Sequence, residues 1–209
     1  MKHAATQELF SYWNQIRGGR AAPERNDLDP GAIRGILADT FILEVDTYLS
    51  FPLRLSGTRL NALFLEEQKG KSFLNFWSKS ERHALSAILL TVLDGTCPVV
   101  AGVRGGPAGQ PEMDLEMLLL PLRHNGKTHS RILGMLSPAQ SPTWLGLLPI
   151  ENLKLQSMRV VDRPSVTTGP AFARQRPVRE DIFTPPQQLA TPTPNFTRHG
   201  HLRVYEGGR

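Results

Sequence analysis

The chain of 209 residues has one cysteine, 7% aromatic residues and no long apolar run. Cys97 alone cannot form an internal disulfide, and it leaves a cysteine-based zinc site short of ligands, so a disulfide scaffold and a zinc finger are excluded. The longest apolar stretches, residues 87–93 and 117–120, are far shorter than the roughly 18 residues that a spanning helix needs. The first residues contain no apolar signal core, so we predict a cytoplasmic protein.

Motifs for catalysis and for metal binding are also missing. The sequence has no glycine-rich nucleotide or phosphate loop, no His-Glu-x-x-His and no Gly-x-Ser-x-Gly. His199 and His201 are too few ligands to hold a metal ion. We therefore predict a protein that is not an enzyme, and the alternative is a small enzyme that uses Asp94 or Glu116 with a histidine.

The net charge of +5 comes mostly from the C-terminal end. Residues 163–209 hold seven of the 24 basic residues, three of the 19 acidic residues and seven of the 17 prolines. Few of their side chains are aliphatic, so this segment cannot bury enough apolar surface to offset its ordering entropy. We predict a mostly disordered tail that contacts a protein partner. Its arginines are too dispersed for specific nucleic-acid binding; they are Arg163, Arg174, Arg176, Arg179, Arg198, Arg203 and Arg209.

An amphipathic helix is predicted at the N-terminus, from Thr6 to Arg17. Its apolar stripe has the spacing i, i+3, i+4 and i+7, and Gly18-Gly19 ends it. Because such a stripe needs a partner, we predict that it mediates dimerisation or docking of another protein. The stripe consists of Leu9, Tyr12, Trp13 and Ile16.

The rest of the pattern is strand, strand, helices, and then three strands. Asp29-Pro30 opens a short helix with Ile33, Ile36 and Leu37 on one face. The pair Asn125-Gly126 predicts a two-residue hairpin turn, because both positions of such a turn need positive φ. Two early strands cannot form a stable sheet alone, so we predict one five-stranded antiparallel sheet, an α+β fold with helices on one face. The strands are predicted at residues 40–45, 51–56, 97–104, 113–123 and 130–137, and further helical pieces begin at Gly57, Ser72 and Ser80.

Several short motifs, in the order in which they follow along the chain, resemble those of a known family. They are Tyr12-Trp13, Arg17-Gly18-Gly19-Arg20, Pro23, Arg25, Asp27-Leu28-Asp29-Pro30, Ile36-Leu37, Arg54-Leu55-Ser56-Gly57-Thr58, Gly70-Lys71-Ser72-Phe73 and Trp77. Over residues 9–137 the chain resembles PAS domains, and in particular the single-domain PAS proteins of alphaproteobacteria, a family long described as a domain of unknown function. One departure is Leu65-Glu66, where the family usually has glycine after the Leu-Phe pair, so the preceding helix is expected to run on.

We predict a PAS-like domain at residues 38–162, preceded by an N-terminal helical segment, residues 1–37, and followed by the tail, residues 163–209. The resemblance implies a sensory or regulatory protein that acts through protein contacts, optionally gated by a small apolar ligand. Two interpretations of the aromatic residues on the helices stay open, a filled core or a ligand cavity. The candidate cavity residues are Phe64, Phe73, Phe76, Trp77, Leu85 and Leu89, with Arg54, Ser56 and Asn75 as polar groups.

Two cofactors of PAS-type sensors are disfavoured, and no cofactor is identified. Some members bind haem through a histidine, but His83 lies off the buried stripe of its helix, so we expect it at the surface. The flavin form needs a reactive cysteine in its helical segment, whereas Cys97 follows the long helix.

Arg17 and Arg20 have two interpretations. They can pair with Asp27 and Asp29 where the first helix turns back, or they can bind an anion or a nucleotide. A small-molecule or nucleotide-binding module that uses these arginines is therefore an alternative function.

Overall fold

The structure is a computed structural model that describes residues 1–161 and the short strands Phe196–His199 and Leu202–Tyr205. Residues 1–161 belong to one compact unit and the two short strands to another. The short strands pair antiparallel with each other, which the sequence analysis did not predict. Among the described residues, no helix combines the length and the hydrophobicity that crossing a membrane requires.

A six-stranded antiparallel sheet forms the centre of the first unit. The order of its strands in space is β2-β1-β5-β4-β3-β6, so the early hairpin joins the late strands through β1 and β5, as predicted. The sheet has six strands rather than the predicted five. The strands are β1 (Thr40–Glu44), β2 (Leu53–Ser56), β3 (Val99–Gly105), β4 (Met113–His124), β5 (Lys127–Pro138) and β6 (Lys154–Val160).

The inner face of the sheet is covered by α2 (Thr58–Phe64), the 3₁₀ turn Phe73–Phe76 and α3 (Arg82–Asp94). The Ser72 hydroxyl accepts a hydrogen bond from the Leu74 N–H at 3.2 Å and so begins the 3₁₀ turn, as the sequence predicts. Leucines of α3 and inward-facing residues of the strands fill the space between the two layers. This is the main hydrophobic core.

The outer face is covered in part by α1 (Ala4–Arg17), which packs on β4 and β5. The helices between the strands therefore lie on one face, as predicted, and the N-terminal helix that precedes the sheet lies on the other. The reason lies in β4 and β5, whose residues are apolar on both faces: Leu118 and Met135 point outward, whereas Met117 and Leu136 point inward. Both faces are therefore apolar, and each is shielded from water only where another element packs on it.

Two local predictions differ from the structure. Residues 30–36 form successive turns instead of the α-helix expected after Asp29-Pro30, although Ile33 and Ile36 are buried. Helix α2 does not run on, because Leu65 adopts the left-handed conformation (φ 53°) that glycine usually supplies at this position. The Asn125-Gly126 turn has positive φ at both residues, as predicted.

Candidate functional site

The six predicted cavity residues come together in the inner core. The rings of Phe64 and Phe76 stack with centroids 4.2 Å apart, and Phe73 lies edge-on to Phe76 at 5.3 Å and to Trp77 at 6.2 Å. Leu85 and Leu89 are fully buried in the same cluster. These contacts are typical of a packed core.

The polar groups predicted for this cavity lie elsewhere. Arg54 is 59% exposed on β2 and forms an ion pair with Glu44 of β1, so the prediction that it lines the cavity is wrong. Leu53 points into the inner core and Leu55 packs against the outer cluster, and Arg54 lies between them where the register of the β1–β2 pair shifts. Asn75 is exposed, and the Ser56 hydroxyl bonds to Asn61 at 2.6 Å.

One polar atom in the inner core has no partner. Trp77 is fully buried, and its indole Nε1 makes no hydrogen bond. An unsatisfied buried donor costs roughly 1–3 kcal/mol. The core is thus apolar with one free donor, which an acceptor atom of a small molecule could satisfy.

The stripe of α1 contacts the chain's own sheet. Leu9 and Trp13 are fully buried there, and the Trp13 Nε1 donates a hydrogen bond to the Pro121 carbonyl at 2.9 Å. Tyr12 and Ile16 are only partly buried, and the Tyr12 hydroxyl accepts the Asp29 N–H at 2.6 Å. In this arrangement, Leu9 and Trp13 are not available to a partner, and a partner contact through α1 stays a prediction.

A carboxylate of β4 caps the N-terminus of α1. His3, at the N-cap, contributes no side-chain bond, and Glu116 accepts the N–H of Lys2 (2.7 Å) and of His3 (3.2 Å) and the Thr6 hydroxyl. Sequence reasoning missed this role. The available signal was an acidic residue directly before the apolar run at residues 117–120.

Glu116 is only 8% exposed, yet it is held in its charged form. Burial raises its pKa, but the Thr6 hydroxyl, the two backbone N–H groups and the chain's positive N-terminus together outweigh burial and lower the pKa below the ordinary value. The charged carboxylate therefore anchors the start of α1 to the sheet.

Beside this anchor, the described residues leave part of the outer face of the sheet uncovered. A groove of about 670 Å³ runs over β3, β4 and β6, next to the first three residues of the chain. Gly102 and Ser157 pair across the floor, and Arg104 bonds to Asp114 at 2.9 Å. The groove adjoins β6, an edge strand on which Met158 and Val160 are each 47% exposed.

Arg17 and Arg20 are bonded within their own turn. Arg17 is buried, donates to the carbonyls of Gly18 and Arg20, and lies 5.4 Å from the centre of the Trp13 ring. Arg20 donates to the Ile16 carbonyl at 2.7 Å and pairs with Asp27 at 2.7 Å. These bonds correspond to the first interpretation of the two arginines, in which they stabilise the turn where the first helix ends.

The residues considered for cofactors and catalysis lie apart. His83 is exposed on α3, as expected, and Cys97 follows that helix and donates to the Gly95 carbonyl at 3.0 Å. The partners of Glu116 are two backbone N–H groups and a hydroxyl, not a catalytic histidine. Within the described residues, no group of three or more histidines, cysteines and acids could hold a metal ion.

The predictions for the tail fall on the part of the chain that is not described. Five of its arginines and His201 lie outside the described residues. For Arg198, Arg203 and His199 the structure describes only the strands in which they lie.

Comparison with known proteins decides the family. A family model described as PAS domain matches residues 1–137 of the chain. The chain belongs to the PAS domain family. The match begins at the first residue, so the helix on the outer face belongs to this PAS domain together with β1–β5. No curated protein sequence matches the chain.

Several solved structures match the chain at low identity. The crystal structure of the Rhodobacter sphaeroides LOV protein is 12% identical, with a TM-score of 0.41, and the match covers 56% of this chain and 73% of that one. An RNA-binding light-oxygen-voltage receptor is 17% identical, with a TM-score of 0.40, over 54% of this chain and 33% of that one. The PAS domain assignment supports a sensory or regulatory role for the chain.

Proposed function

We propose that this PAS domain is a non-enzymatic regulator that acts through protein contacts on the outer face of its sheet. One observation carries the proposal: within residues 1–161, α1 and the turns that follow it cover β1, β5 and part of β4 on that face, and they leave a groove over β3, β4 and β6. This groove adjoins the edge of β6, which pairs with no further strand in the part of the chain that the structure describes. An unpaired strand edge offers its backbone N–H and C=O groups to another chain.

In this proposal α1 shapes the contact surface. The three residues that precede it form one wall of the groove, and the Glu116 carboxylate holds that wall in place. A signal that loosened α1 would change the groove and would release the stripe with Leu9 and Trp13. Helix and open sheet face would then act together on a partner or on a second copy of the chain.

The test uses the full chain with two substitutions on the edge strand. Ser157 and Arg159 lie opposite Gly102 and Val100 and so point to the groove side of β6. We expect Ser157→Glu with Arg159→Glu to abolish self-association in sedimentation velocity, or binding of the partner purified with the wild-type protein. Both side chains are exposed, so the fold should be retained. Tyr48→Glu, at an 89% exposed position in the β1–β2 turn, is the matched control and should bind as wild type. A double variant that associates and binds as the wild type does would overturn the proposal.

A second candidate function is binding of a small ligand in the inner core, which would gate these contacts. The free Nε1 of Trp77 favours it, because a mostly apolar ligand with one acceptor would satisfy this donor. Native mass spectrometry of protein purified from its own host tests it and reports the oligomeric state in the same spectrum. A retained small molecule that is lost in Trp77→Phe supports the candidate, and a spectrum of bare protein contradicts it.

A nucleotide site on Arg17 and Arg20 is not proposed. Their N–H groups donate to backbone carbonyls and to Asp27. A nucleotide would have to break these bonds before it gained its own.

A further inference from the structure

Three arginines from distant parts of the chain meet at one end of the outer face. Arg131 of β5 lies opposite Glu44 of β1, and Glu44 forms an ion pair with Arg54 of β2. On its other side, Arg131 lies opposite Leu122 of β4, whose side chain faces outward.

Arg25 reaches the same end through the turn that follows α1. The preceding residue, Glu24, forms a backbone bridge with Arg123, which directly follows Leu122 on β4. The Arg123 N–H also donates to the Pro23 carbonyl at 2.9 Å, which ties the turn to the sheet. The N-terminal segment, the first hairpin and the last hairpin therefore each contribute one guanidinium.

The nearby carboxylates are already used. Glu44 pairs with Arg54, Glu24 pairs with Arg123 at 3.2 Å, and Asp27 pairs with Arg20 at 2.7 Å. Across residues 1–161, no hydrogen bond or ion pair joins the side chains of Arg25 and Arg131 to an acid. The Nε of Arg131 is buried and has no acceptor.

This arrangement is electrostatically unfavourable when nothing is bound. Burial lowers the pKa of Arg131, and the positive charges of Arg25 and Arg54 lower it further. The three arginines with Glu44 carry a formal charge of +2, which matches a dianion.

We propose that Arg25, Arg54 and Arg131 form a binding site for a phosphate dianion, either inorganic phosphate or the phosphate group of a small monoester. Guanidinium groups bind phosphate oxygens through paired N–H donors, and three of them around one group would satisfy the buried Nε. Because the site spans three segments, a bound phosphate would fasten the turn after α1 to the sheet. The site is independent of the partner surface at β6.

Calorimetric titration of the full chain with inorganic phosphate tests the site, at an ionic strength held constant with sodium chloride. We expect saturable binding in the wild type. In Arg131→Gln the affinity for phosphate should fall by roughly tenfold or more, because one of three charged contacts is lost. Arg25→Gln, at a partly buried position in the 3₁₀ turn Arg25–Asp27, should show the same loss and guards against misfolding of the strand variant. Arg159→Gln, the same charge change on β6, is the control and should bind as wild type.

A nucleoside 5′-monophosphate is the second ligand in the same titration. Equal affinity for it and for phosphate supports a site that recognises the phosphate group alone, and tighter binding supports a phosphomonoester as the natural ligand. The proposal is overturned if phosphate produces no more heat or thermal stabilisation than chloride does. It is also overturned if Arg25→Gln, Arg131→Gln and Arg159→Gln all bind phosphate equally well.

Discussion

The ring of Phe41 occupies the space that a side chain at Gly134 would need. The two residues face each other on β1 and β5, and a Cβ built on Gly134 would collide with three carbons of that ring. The Phe41 ring also stacks on Phe73 at 5.0 Å and so connects the sheet to the helices of the inner core. A missing side chain on β5 therefore allows the first hairpin to pack in its observed register.

We expect Gly134→Ala to destabilise the protein by about 2 kcal/mol, because the added methyl group overpacks a core that has no room for it. Denaturant unfolding measures the change. Gly19→Ala is the control, since a Cβ at Gly19 meets no atom within 4 Å. Phe41→Leu should recover part of the loss in the double variant, and equal stability of Gly134→Ala and wild type would contradict this packing.

The cap of α1 makes a specific contribution to stability against acid. The pKa of Glu116 is lower in the folded protein than in the unfolded chain. Its contribution is therefore fully present above about pH 4.3, the ordinary value for glutamate, and disappears as the pH falls through the lower pKa of the folded form. Glu116→Gln should cost about 1–2 kcal/mol near pH 7, and this difference from wild type should shrink below pH 4.

Unfolding free energies of both proteins between pH 3 and pH 7 provide the measurement. Glu112→Gln is the control, because Glu112 pairs with Lys154 on the surface and such pairs contribute little. A difference between wild type and Glu116→Gln that stayed constant over this range would show that the carboxylate does not act through its charge.

The end of α2 carries a local strain. Leu65 is 45% exposed and has a φ of 53°, a conformation that costs an L-residue roughly 1–2 kcal/mol relative to glycine. Leu65→Gly should therefore raise the free energy of unfolding by about 1 kcal/mol. This value allows for the entropy that glycine adds to the unfolded chain, which offsets part of the relieved strain. Leu147→Gly, at an exposed position without positive φ, should not stabilise the protein. A loss of stability in Leu65→Gly would mean that the leucine side chain has a packing role.

The sequence predicts those parts of the fold that local patterns specify. Alternating residues identify β4, the Asn125-Gly126 pair identifies its hairpin, and the helical stripe identifies α1. By contrast, β6 is exposed along most of its length, so burial imposes no alternation on its sequence. Its place in the sheet comes from pairing with β3.

The candidate site is less predictable, because its features join distant residues. Glu116 and Thr6 are 110 positions apart, and α1 has no side-chain cap of its own that would mark its start. The three guanidinium groups of the proposed phosphate site lie on segments that only the strand order brings together. A pattern read along the chain does not contain this information.

Two fully buried tryptophans differ in one hydrogen bond. The Nε1 of Trp13 donates to the Pro121 carbonyl at 2.9 Å, whereas the Nε1 of Trp77 has no acceptor. Replacing Trp13 by phenylalanine removes this bond, and the same change at Trp77 removes a donor that was already unsatisfied. We expect Trp13→Phe to cost about 1–3 kcal/mol more than Trp77→Phe.

Chemical denaturation of the two variants, refolded from denaturant so that no ligand is retained, gives this difference. Equal costs would contradict the hydrogen-bond assignment. The same pair also tests the ligand hypothesis when the proteins are purified natively from the host. A ligand that accepts from Trp77 stabilises the wild type but not Trp77→Phe, so the cost of Trp77→Phe should rise toward that of Trp13→Phe only in the native preparation.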